Sequence, residues 1–289
     1  MISVYGGSGF IGSRFVSIHR DDCIVVPRNG SMGGGEDVLY LISTNHNYNI
    51  FTDPHLDIDT NLTKLVDVLE GHRLSGKGGV FNFVSSWFVY GKNCTMDTKE
   101  DTPCDPRGFY SITKRAAEQM LVSYCETYGM PYRIMRLTNI IGSGDRGVSA
   151  KKNALQYMMG LLREDKPVSL YEDGRCYRDF MHIDDACRAI MTCLESAPLG
   201  EVVNISNSEP ITIREAVEHA RDRMGSRSEL VPIEVPNFHR TVQVKDVCLN
   251  NQKLISIGYR PTIKVHRAIE WIADDLTRGA HDEPHQPTV

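Results

Sequence analysis

Residues 6–12 read GGSGFIG and follow directly on a short apolar run, ISVY, at residues 2–5. The chain then continues with apolar residues at helical spacing, so the glycines lie where a strand passes into a helix. Gly6, Gly9 and Gly12 suit such a junction, since glycine permits a tight turn, close approach of the backbone to a pyrophosphate and tight packing of helix on strand. The stretch predicts a dinucleotide-binding turn, with the phosphates held at the helix N-terminus.

The rest of the N-terminal half repeats this alternation of apolar runs and helical segments. Strands are predicted at residues 23–26, 38–43, 80–85 and 132–137, and helices at residues 10–18, 61–70 and 109–128. Runs of this length between helices are typical of a parallel sheet that is covered on both faces. The prediction is an α/β fold, a doubly wound parallel sheet of the Rossmann type, with residues 1–140 as a dinucleotide-binding domain.

After about residue 137 the pattern loosens. Helices are predicted at residues 152–163, 183–195, 212–224 and 263–276, and short strands at residues 168–171 and 202–205. We predict a smaller C-terminal α/β substrate domain within residues 141–278, some segments of which return to the first domain. The polar, proline-containing residues 279–289 are predicted to be a disordered tail.

The composition is that of an ordinary globular protein, with 41% hydrophobic and 24% charged residues. A net charge of −5 gives no general reason to bind nucleic acid. No apolar stretch approaches the roughly 20 residues of a membrane span, and the chain enters a strand too early for a signal peptide, so we predict a cytoplasmic protein. The eight cysteines include no CxxC pair, so we expect reduced thiols and no metal site.

A second signal is the pair Tyr110 and Lys114, which share one face of the predicted helix. A phenol titrates near pH 10, but a neighbouring ammonium and a cationic nicotinamide would both lower its pKa. Tyr110 would then exchange a proton with a carbinol while hydride moves to or from the cofactor. Upstream, an apolar run ends in the hydroxyls of Ser85 and Ser86, at the sheet edge where ligands bind in such folds.

Together these motifs resemble the extended short-chain dehydrogenase/reductase family, which includes UDP-galactose 4-epimerases, nucleotide-sugar 4,6-dehydratases and 4-keto-sugar reductases. The resemblance covers nearly the whole chain and includes the GxxGxxG turn and the segment SSWFVYG at residues 85–91. It implies that Ser86 is the catalytic hydroxyl and Tyr110 the acid/base. Lys114 would be the partner of the tyrosine and would also hold the nicotinamide ribose.

Two later segments resemble further motifs of this family. Residues 136–142, RLTNIIG, match its RxxNxxG segment, which implies that Asn139 lies beside the sugar nucleotide. Residues 174–185, GRCYRDFMHIDD, match its GxxxRDFxxVDD block, which is specific to the sugar-nucleotide branch. The resemblance therefore implies a nucleotide-diphosphate sugar as the substrate.

By analogy with the family, Arg178 and Arg240 would meet the nucleotide diphosphate, because an arginine fork suits phosphate oxygens. Trp87, next to the catalytic hydroxyl, would also lie against the substrate. The alternative for Arg178 is a salt bridge with Asp179 or Asp184.

The sequence defines the nicotinamide cofactor less sharply. Where NAD-binding proteins carry an acid, residues 26–29 read VPRN. Arg28 slightly favours NADP, whose 2′-phosphate it would pair with; the alternative is a solvated loop cation. Only about ten residues separate Arg28 from Val38, and residues 41–44, LIST, replace the family's small Ala-Ala cradle, which leaves open how adenine is held. The cofactor-binding residues predicted in total are Gly6, Gly9, Phe10, Ile11, Gly12, Arg28, Ser43, Tyr110 and Lys114.

Trp87 and Phe88 stand where the 4,6-dehydratases carry an Asp-Glu pair, and Trp87 also stands where the GDP-fucose-synthase type carries a cysteine, which disfavours both reactions. The resemblance favours a nucleotide-sugar 4-epimerase that works through a 4-keto intermediate by reversible hydride transfer to NAD(P). The alternatives are an NADPH-dependent 4-keto-sugar reductase and a catalytically idle, nucleotide-binding member of the fold. The resemblance also implies a homodimer through a four-helix bundle built from residues 61–70 and 109–128 of each subunit.

Overall fold

The structure, a computed structural model, describes residues 1–28, 30, 34–242 and 244–278. The strands are β1 Ile2–Tyr5, β2 Cys23–Val26, β3 Asp37–Tyr40, β4 Phe81–Ser86, β5 Tyr132–Leu137, β6 Asn139–Ile141, β7 Val168–Tyr171, β8 Tyr177–His182, β9 Val202–Ile205, β10 Pro210–Thr212 and β11 Leu230–Ile233. The α-helices are α1 Phe10–Ile18, α2 His55–Ile58, α3 Lys64–Ser75, α4 Phe109–Tyr128, α5 Ala154–Arg163, α6 Ile183–Ser196, α7 Ile213–Met224, α8 Asn237–Val242, α9 Gln252–Ser256 and α10 Val265–Arg278. The predicted tail, residues 279–289, lies outside the described residues.

The central feature of the fold is a parallel sheet with the strand order β2-β1-β3-β4-β5-β9. Helices α1 and α6 pack on one face, and α3 and α4 on the other. Strands β1 and β5 are buried along their whole length, which explains why most of their residues are apolar, although β5 also carries the buried Arg133 and Arg136. The predicted doubly wound α/β fold is confirmed. Because the strand order reverses beside β1, the sheet has a switch point at its carboxyl edge, where ligands bind in such folds.

Two elements next to one buried amide, Asn61, differ from the predictions. The strand predicted at residues 38–43 ends at Tyr40 as β3; Leu41 N still donates to the carbonyl of Tyr5, and then Ser43 Oγ and Thr44 N donate to Asn61 Oδ1 at 3.1 and 2.9 Å. The helix predicted at residues 61–70 starts in a π-helical turn that contains Asn61 and continues as α3. Such turns are frequent at functional sites, and Asn61 in this one hydrogen-bonds Ser43 and Thr44, which line the cleft described below.

The later part of the chain forms two small sheets, β10-β8-β6 and β11-β7. Helices α5, α7 and α10 enclose a separate apolar core with them. In contrast, α6 and β9 pack with the main sheet, so the chain crosses back to it after β8. The division into a dinucleotide-binding part and a mostly substrate-binding part stays a prediction about function. Of the helices in the described ranges, none combines the length and apolarity that crossing a bilayer requires.

A buried ion pair ties α4 to the sheet. Arg136 on β5 donates from Nε and Nη2 to the two carboxylate oxygens of Glu118, at 2.9 and 2.8 Å, and both side chains are almost fully buried. Burial disfavours the charged carboxyl, yet the hydrogen bonds from Arg136 hold the pKa of Glu118 below its ordinary value. The guanidinium also lies over the ring of Tyr90, at 4.6 Å from its centroid. This pair therefore fixes how α4 sits against β5.

We expect Arg136→Met to lower the free energy of unfolding by up to about 3–5 kcal/mol, because it leaves the buried carboxylate of Glu118 with the half-buried Arg115 as its ion-pair partner. Arg267→Met is the matched control, since Arg267 pairs with Glu270 on the exposed face of α10; it should cost less than about 1 kcal/mol. Urea unfolding followed by circular dichroism measures both variants. Equal losses would contradict the anchoring role of the buried pair.

Candidate active site

A cleft of about 520 Å³ opens at the carboxyl end of the main sheet. The glycine turn, the ends of the central strands and the first turns of α4 form one side, and the segment before α5, β8 and α8 form the other. The predicted site residues that line it are Gly6, Gly9, Phe10, Ile11, Gly12, Ser43, Ser86, Trp87, Tyr110, Lys114, Asn139 and Arg178. Arg28 and Arg240 are exposed and do not belong to this lining, so their roles remain predictions without support from the cleft.

The glycine turn has a backbone that side chains would disrupt. Gly6 has φ of +82°, and a Cβ on Gly12 would lie 2.2 Å from the carbonyl oxygen of Gly6. Gly9 is the N-cap of α1 and makes no side-chain cap bond, so the first N–H groups of the helix face the cleft without a capping partner. A tight turn that ends in uncapped N–H groups fits the pyrophosphate of a nicotinamide dinucleotide.

The structure brings the Ser86, Tyr110 and Lys114 side chains together. Ser86 ends β4, whereas Tyr110 and Lys114 lie one turn apart at the start of α4. The Lys114 ammonium donates to the carbonyl of Val84 at 2.8 Å and lies over the ring of Phe83, 4.1 Å from its centroid. All of these groups are buried or half-buried at the cleft, so a bound carbinol would meet them away from bulk water.

Burial is the largest influence on the pKa values of Tyr110 and Lys114. It raises the pKa of Tyr110 above its ordinary value, and hydrogen bonds with Ser86 and Ser43 oppose the rise. Burial also lowers the pKa of Lys114 to about 7, with Glu118 acting in the opposite direction. We predicted that Lys114 lowers the pKa of the phenol, and in the protein by itself the pKa is raised instead. The reason is that burial of the phenol outweighs its hydrogen bonds with Ser86 and Ser43.

Aromatic side chains stand beside the phenol. Trp87 is buried and stacks on Phe88 with ring centroids 4.0 Å apart, and Phe88 meets the ring of Tyr110 edge-on at 5.9 Å. Asn139 on β6 donates to the carbonyl of Asp179 at 3.0 Å and borders the cleft. The wall next to the phenol is therefore apolar, and positions 87 and 88 offer no carboxylate.

Arg178 is held by main-chain groups. Its Nη1 donates to the carbonyls of Tyr177 and Lys245, both at 2.7 Å, and its Nη2 donates to the carbonyl of Val244 at 2.9 Å. Neither carboxylate that we considered as a partner pairs with it among the described residues: Asp184 is bound by Arg14, and Asp179 accepts from Ser206. The guanidinium thus fastens residues 244–245, and the predicted contact with a diphosphate stays untested.

The sequence reasoning missed one group of cleft residues. The Tyr48 hydroxyl, in a 3₁₀ turn after β3, hydrogen-bonds Nε2 of His239 on α8 and so joins the two sides of the cleft. Tyr171 packs on His239 with ring centroids 4.7 Å apart. The lining residues not predicted as site residues include His46, Asn47, Tyr48, Lys151, Lys152 and His239. They carry no motif, and only their approach in the folded chain reveals them.

The family of the protein follows from a comparison with known sequences. The sequence model of the NAD dependent epimerase/dehydratase family matches residues 36–206, from β3 to the end of β9. The chain therefore belongs to this family and is an NAD(P)-dependent enzyme, as the resemblance predicted. The match begins at residue 36 and so does not include the glycine turn. The geometry of that turn comes from the structure alone.

Particular relatives align over almost the whole chain. The putative UDP-glucose 4-epimerase of Methanocaldococcus jannaschii is 24% identical over 95% of this chain and 99% of its own. The GDP-6-deoxy-D-mannose reductase of Pseudomonas aeruginosa is 25% identical over 97% of this chain and 98% of its own. Among solved structures, the UDP-glucose 4-epimerase of Thermotoga maritima has the same fold, with a TM-score of 0.86, 22% identity and coverage of 97% and 99%.

The lowered pKa of Lys114 predicts a pH-dependent stability. Between about 7 and the ordinary value of 10.5, the unfolded chain holds the proton and the folded chain does not, so stability rises with pH in this window. Lys114→Met removes the titration. We expect its melting temperature, relative to the wild type, to be highest below pH 7 and to fall as pH rises towards 10. Thermal unfolding across this range measures it.

The matched control is Lys166→Met, because Lys166 is exposed on the loop after α5. The difference in melting temperature between Lys166→Met and the wild type should not fall as pH rises from about 7 towards 10. If the melting temperatures of Lys114→Met and the wild type changed with pH by the same amount, the Lys114 ammonium would not be desolvated.

Proposed function

We propose that the protein is a nucleotide-sugar 4-epimerase that acts through a 4-keto intermediate by reversible hydride transfer to NAD(P). The observation that carries the proposal is the convergence of Ser86, Tyr110 and Lys114 beside the glycine turn in one cleft. The cleft also carries more cationic side chains than carboxylates, which suits a substrate with a diphosphate.

In this proposal each side chain has one task at the carbinol. The Ser86 Oγ accepts from the N–H of Phe88 at 3.4 Å and hydrogen-bonds the Tyr110 hydroxyl, so a carbinol oxygen placed between the two hydroxyls would take up the Ser86 proton. Tyr110 takes the carbinol proton on oxidation and returns it on reduction. When bound, the nicotinamide accepts and returns hydride, and its positive charge favours the phenolate that burial disfavours. Lys114 holds the ribose and orients the phenol.

A 4-keto-sugar reductase is the second candidate, because it would use the same residues for half of the cycle. Arg28 and the reductase relative that aligns over nearly the full chain favour it. A 4,6-dehydratase has less support, although two such enzymes are among the relatives, because Trp87 and Phe88 supply neither an acid nor a base. The intact set of Ser86, Tyr110 and Lys114 argues against an idle member of the fold.

We expect Tyr110→Phe to remain folded and to lose about 10²–10⁴-fold in kcat, the contribution of a positioned acid/base. Tyr128→Phe is the matched control on the same helix, since Tyr128 is 53% exposed at the far end of α4, and it should keep full activity. The assay follows UDP-, GDP-, CDP- and dTDP-sugars by chromatography. Full activity of the Tyr110 variant would exclude the proposed chemistry.

Analysis of the cofactor separates the two candidates. Denaturing the purified protein and identifying the released nicotinamide distinguishes NAD from NADP. Tightly bound cofactor together with interconversion of sugars without net oxidation supports the epimerase. An empty protein that oxidises added NADPH with a 4-keto sugar supports the reductase, with NADP as Arg28 suggests.

We also propose a cytoplasmic homodimer that buries apolar side chains of α3 and α4. Leu74 is 66%, Ile112 45% and Met120 38% exposed on these helices. Light scattering should then give twice the chain mass for the wild type and the single mass for Met120→Glu. Met96→Glu, at an exposed methionine away from both helices, should remain a dimer. A wild-type monomer at working concentration would contradict the proposal.

A further inference from the structure

Helix α4, which carries Tyr110, begins at a residue whose side chain cannot cap it. This N-cap residue is Gly108. The first N–H groups of a helix lack acceptors within the helix, and an N-cap side chain normally supplies an oxygen to the second or third of them. The third residue of α4 is Ser111, which is only 2% exposed, so its N–H cannot turn to bulk water. Its acceptor has to come from another part of the chain.

The acceptor is the side chain of Asn47. Its Oδ1 accepts from the N–H of Ser111 at 3.2 Å, although the two residues are 64 positions apart in the sequence. Asn47 begins the 3₁₀ turn Asn47–Phe51 after β3 and is itself buried. Ser111 Oγ adds a second bond at this helix end, since it accepts from the N–H of Gly108 at 3.0 Å. The carboxamide of Asn47 therefore takes the place that an N-cap side chain would have.

Gly108 leaves the room that this carboxamide occupies. A Cβ at position 108 would overlap the Oδ1, Cγ and Nδ2 atoms of Asn47. The backbone of Gly108 has φ of −92° and ψ of 153°, which other residues adopt equally well, so the local conformation does not require glycine. The glycine is explained instead by the side chain that packs against it and does the capping in its place.

The turn that carries Asn47 is fixed from two sides. His46 precedes it, and its Nδ1 accepts from the N–H of Tyr48 at 3.2 Å. The Tyr48 hydroxyl hydrogen-bonds Nε2 of His239 on α8, across the cleft. The capping oxygen thus belongs to a braced turn. Because the capped N–H lies in the peptide unit directly after Tyr110, the same bond fixes the main chain next to the phenol.

We propose that Asn47 is a positioning residue for Tyr110, since it caps α4 from outside the helix and so fixes the phenol relative to Ser86. This inference rests on the proposed function, because Tyr110 is the acid/base of that reaction. Without the cap a buried N–H loses its acceptor, and the first turn of α4 shifts or frays. A misplacement of about 1 Å at a reacting group costs up to about 10²-fold in rate. Asn47 acts through the helix and transfers no proton itself.

The test moves the cap from Asn47 to the first residue of the helix end. Asn47→Ala should lower kcat by about ten- to a hundredfold and keep KM within about twofold, because it displaces the phenol. Adding Gly108→Ser should restore most of kcat, since the first substitution makes room for the Cβ and the new hydroxyl caps the N–H of Ser111. Adding Gly108→Ala instead should leave kcat low, since it brings no oxygen. The assay uses whichever of the UDP-, GDP-, CDP- and dTDP-sugars the wild type converts fastest.

The matched control is Asn250→Ala. Asn250 Oδ1 likewise accepts from a helical N–H, that of Gln252 at the start of α9, at 2.9 Å. Neither residue is among the described residues that line the cleft. Both substitutions remove a bond of the same kind, so they differ in their position relative to Tyr110. Asn250→Ala should therefore keep the kcat and the KM of the wild type.

Hydrogen exchange followed by mass spectrometry measures the cap without reference to activity. The peptide that contains residues 109–114 should exchange faster in Asn47→Ala than in the wild type, since the first turn of α4 opens more often. Adding Gly108→Ser should return the exchange to the wild-type rate. Asn250→Ala should leave this peptide unchanged.

Each outcome decides the inference. Wild-type kcat in Asn47→Ala, or a loss of kcat that Gly108→Ser does not restore, overturns it. A rise in KM at unchanged kcat also overturns it, because Asn47 would then contact the substrate. In these cases the proposed function stands, since the wild type is active. A wild type that converts none of the four classes of nucleotide sugar contradicts the proposed function together with the inference, and the exchange of residues 109–114 then measures the cap alone.

Discussion

Three side chains on one face of α4 determine how the site is built. Tyr110, Lys114 and Glu118 follow each other at intervals of one helical turn. Glu118 is bound by Arg136 of β5, and Lys114 donates to the carbonyl of Val84 in β4. Because both contacts are buried, they set the rotation and the height of the helix on the sheet. The phenol at the start of the helix is thereby directed to the hydroxyl at the end of β4.

The same burial makes the chemistry conditional on the bound cofactor. Desolvation raises the pKa of Tyr110 and lowers that of Lys114 to about 7, so the phenol keeps its proton at neutral pH and the ammonium loses its proton more easily than an exposed lysine does. A cationic ring beside the phenol changes this balance, since an opposite charge favours the phenolate. Burial therefore keeps Tyr110 protonated in the protein by itself, and the aromatic rings of Trp87 and Phe88 form the wall beside it.

Much of the architecture could be predicted from local patterns. The limits of the first two strands and of α1 and α4 agree with the sequence prediction, because each strand is mostly apolar and each helix follows a glycine. The predicted end of β3 was wrong, since the strand stops at Tyr40 and the segment after it bonds the side chain of Asn61, which is distant in sequence. The small sheets built from β6, β8 and β10 were missed, because β6 and β10 have three residues each and no clear period.

The site likewise contains residues that the sequence predicts and contacts that it does not. Ser86, Tyr110 and Lys114 carry a recognisable spacing, and the structure brings them into one cleft. In contrast, the Tyr48–His239 contact joins positions that are 191 residues apart, and no local pattern predicts it. The use of Arg178 as a main-chain clamp could not be inferred either, because its acceptors are carbonyls, which every residue possesses. Motifs indicate residue types at a site, whereas their partners follow only from the tertiary fold.

The central claim is that one phenol and one hydroxyl act on the same carbinol oxygen. The most direct measurement is a crystal structure of the protein with nicotinamide cofactor and nucleotide sugar bound. The account predicts a sugar hydroxyl oxygen within about 2.6–3.2 Å of both the Tyr110 hydroxyl and the Ser86 hydroxyl, with its carbon facing the nicotinamide ring. A sugar bound with no hydroxyl within reach of Tyr110 would contradict it.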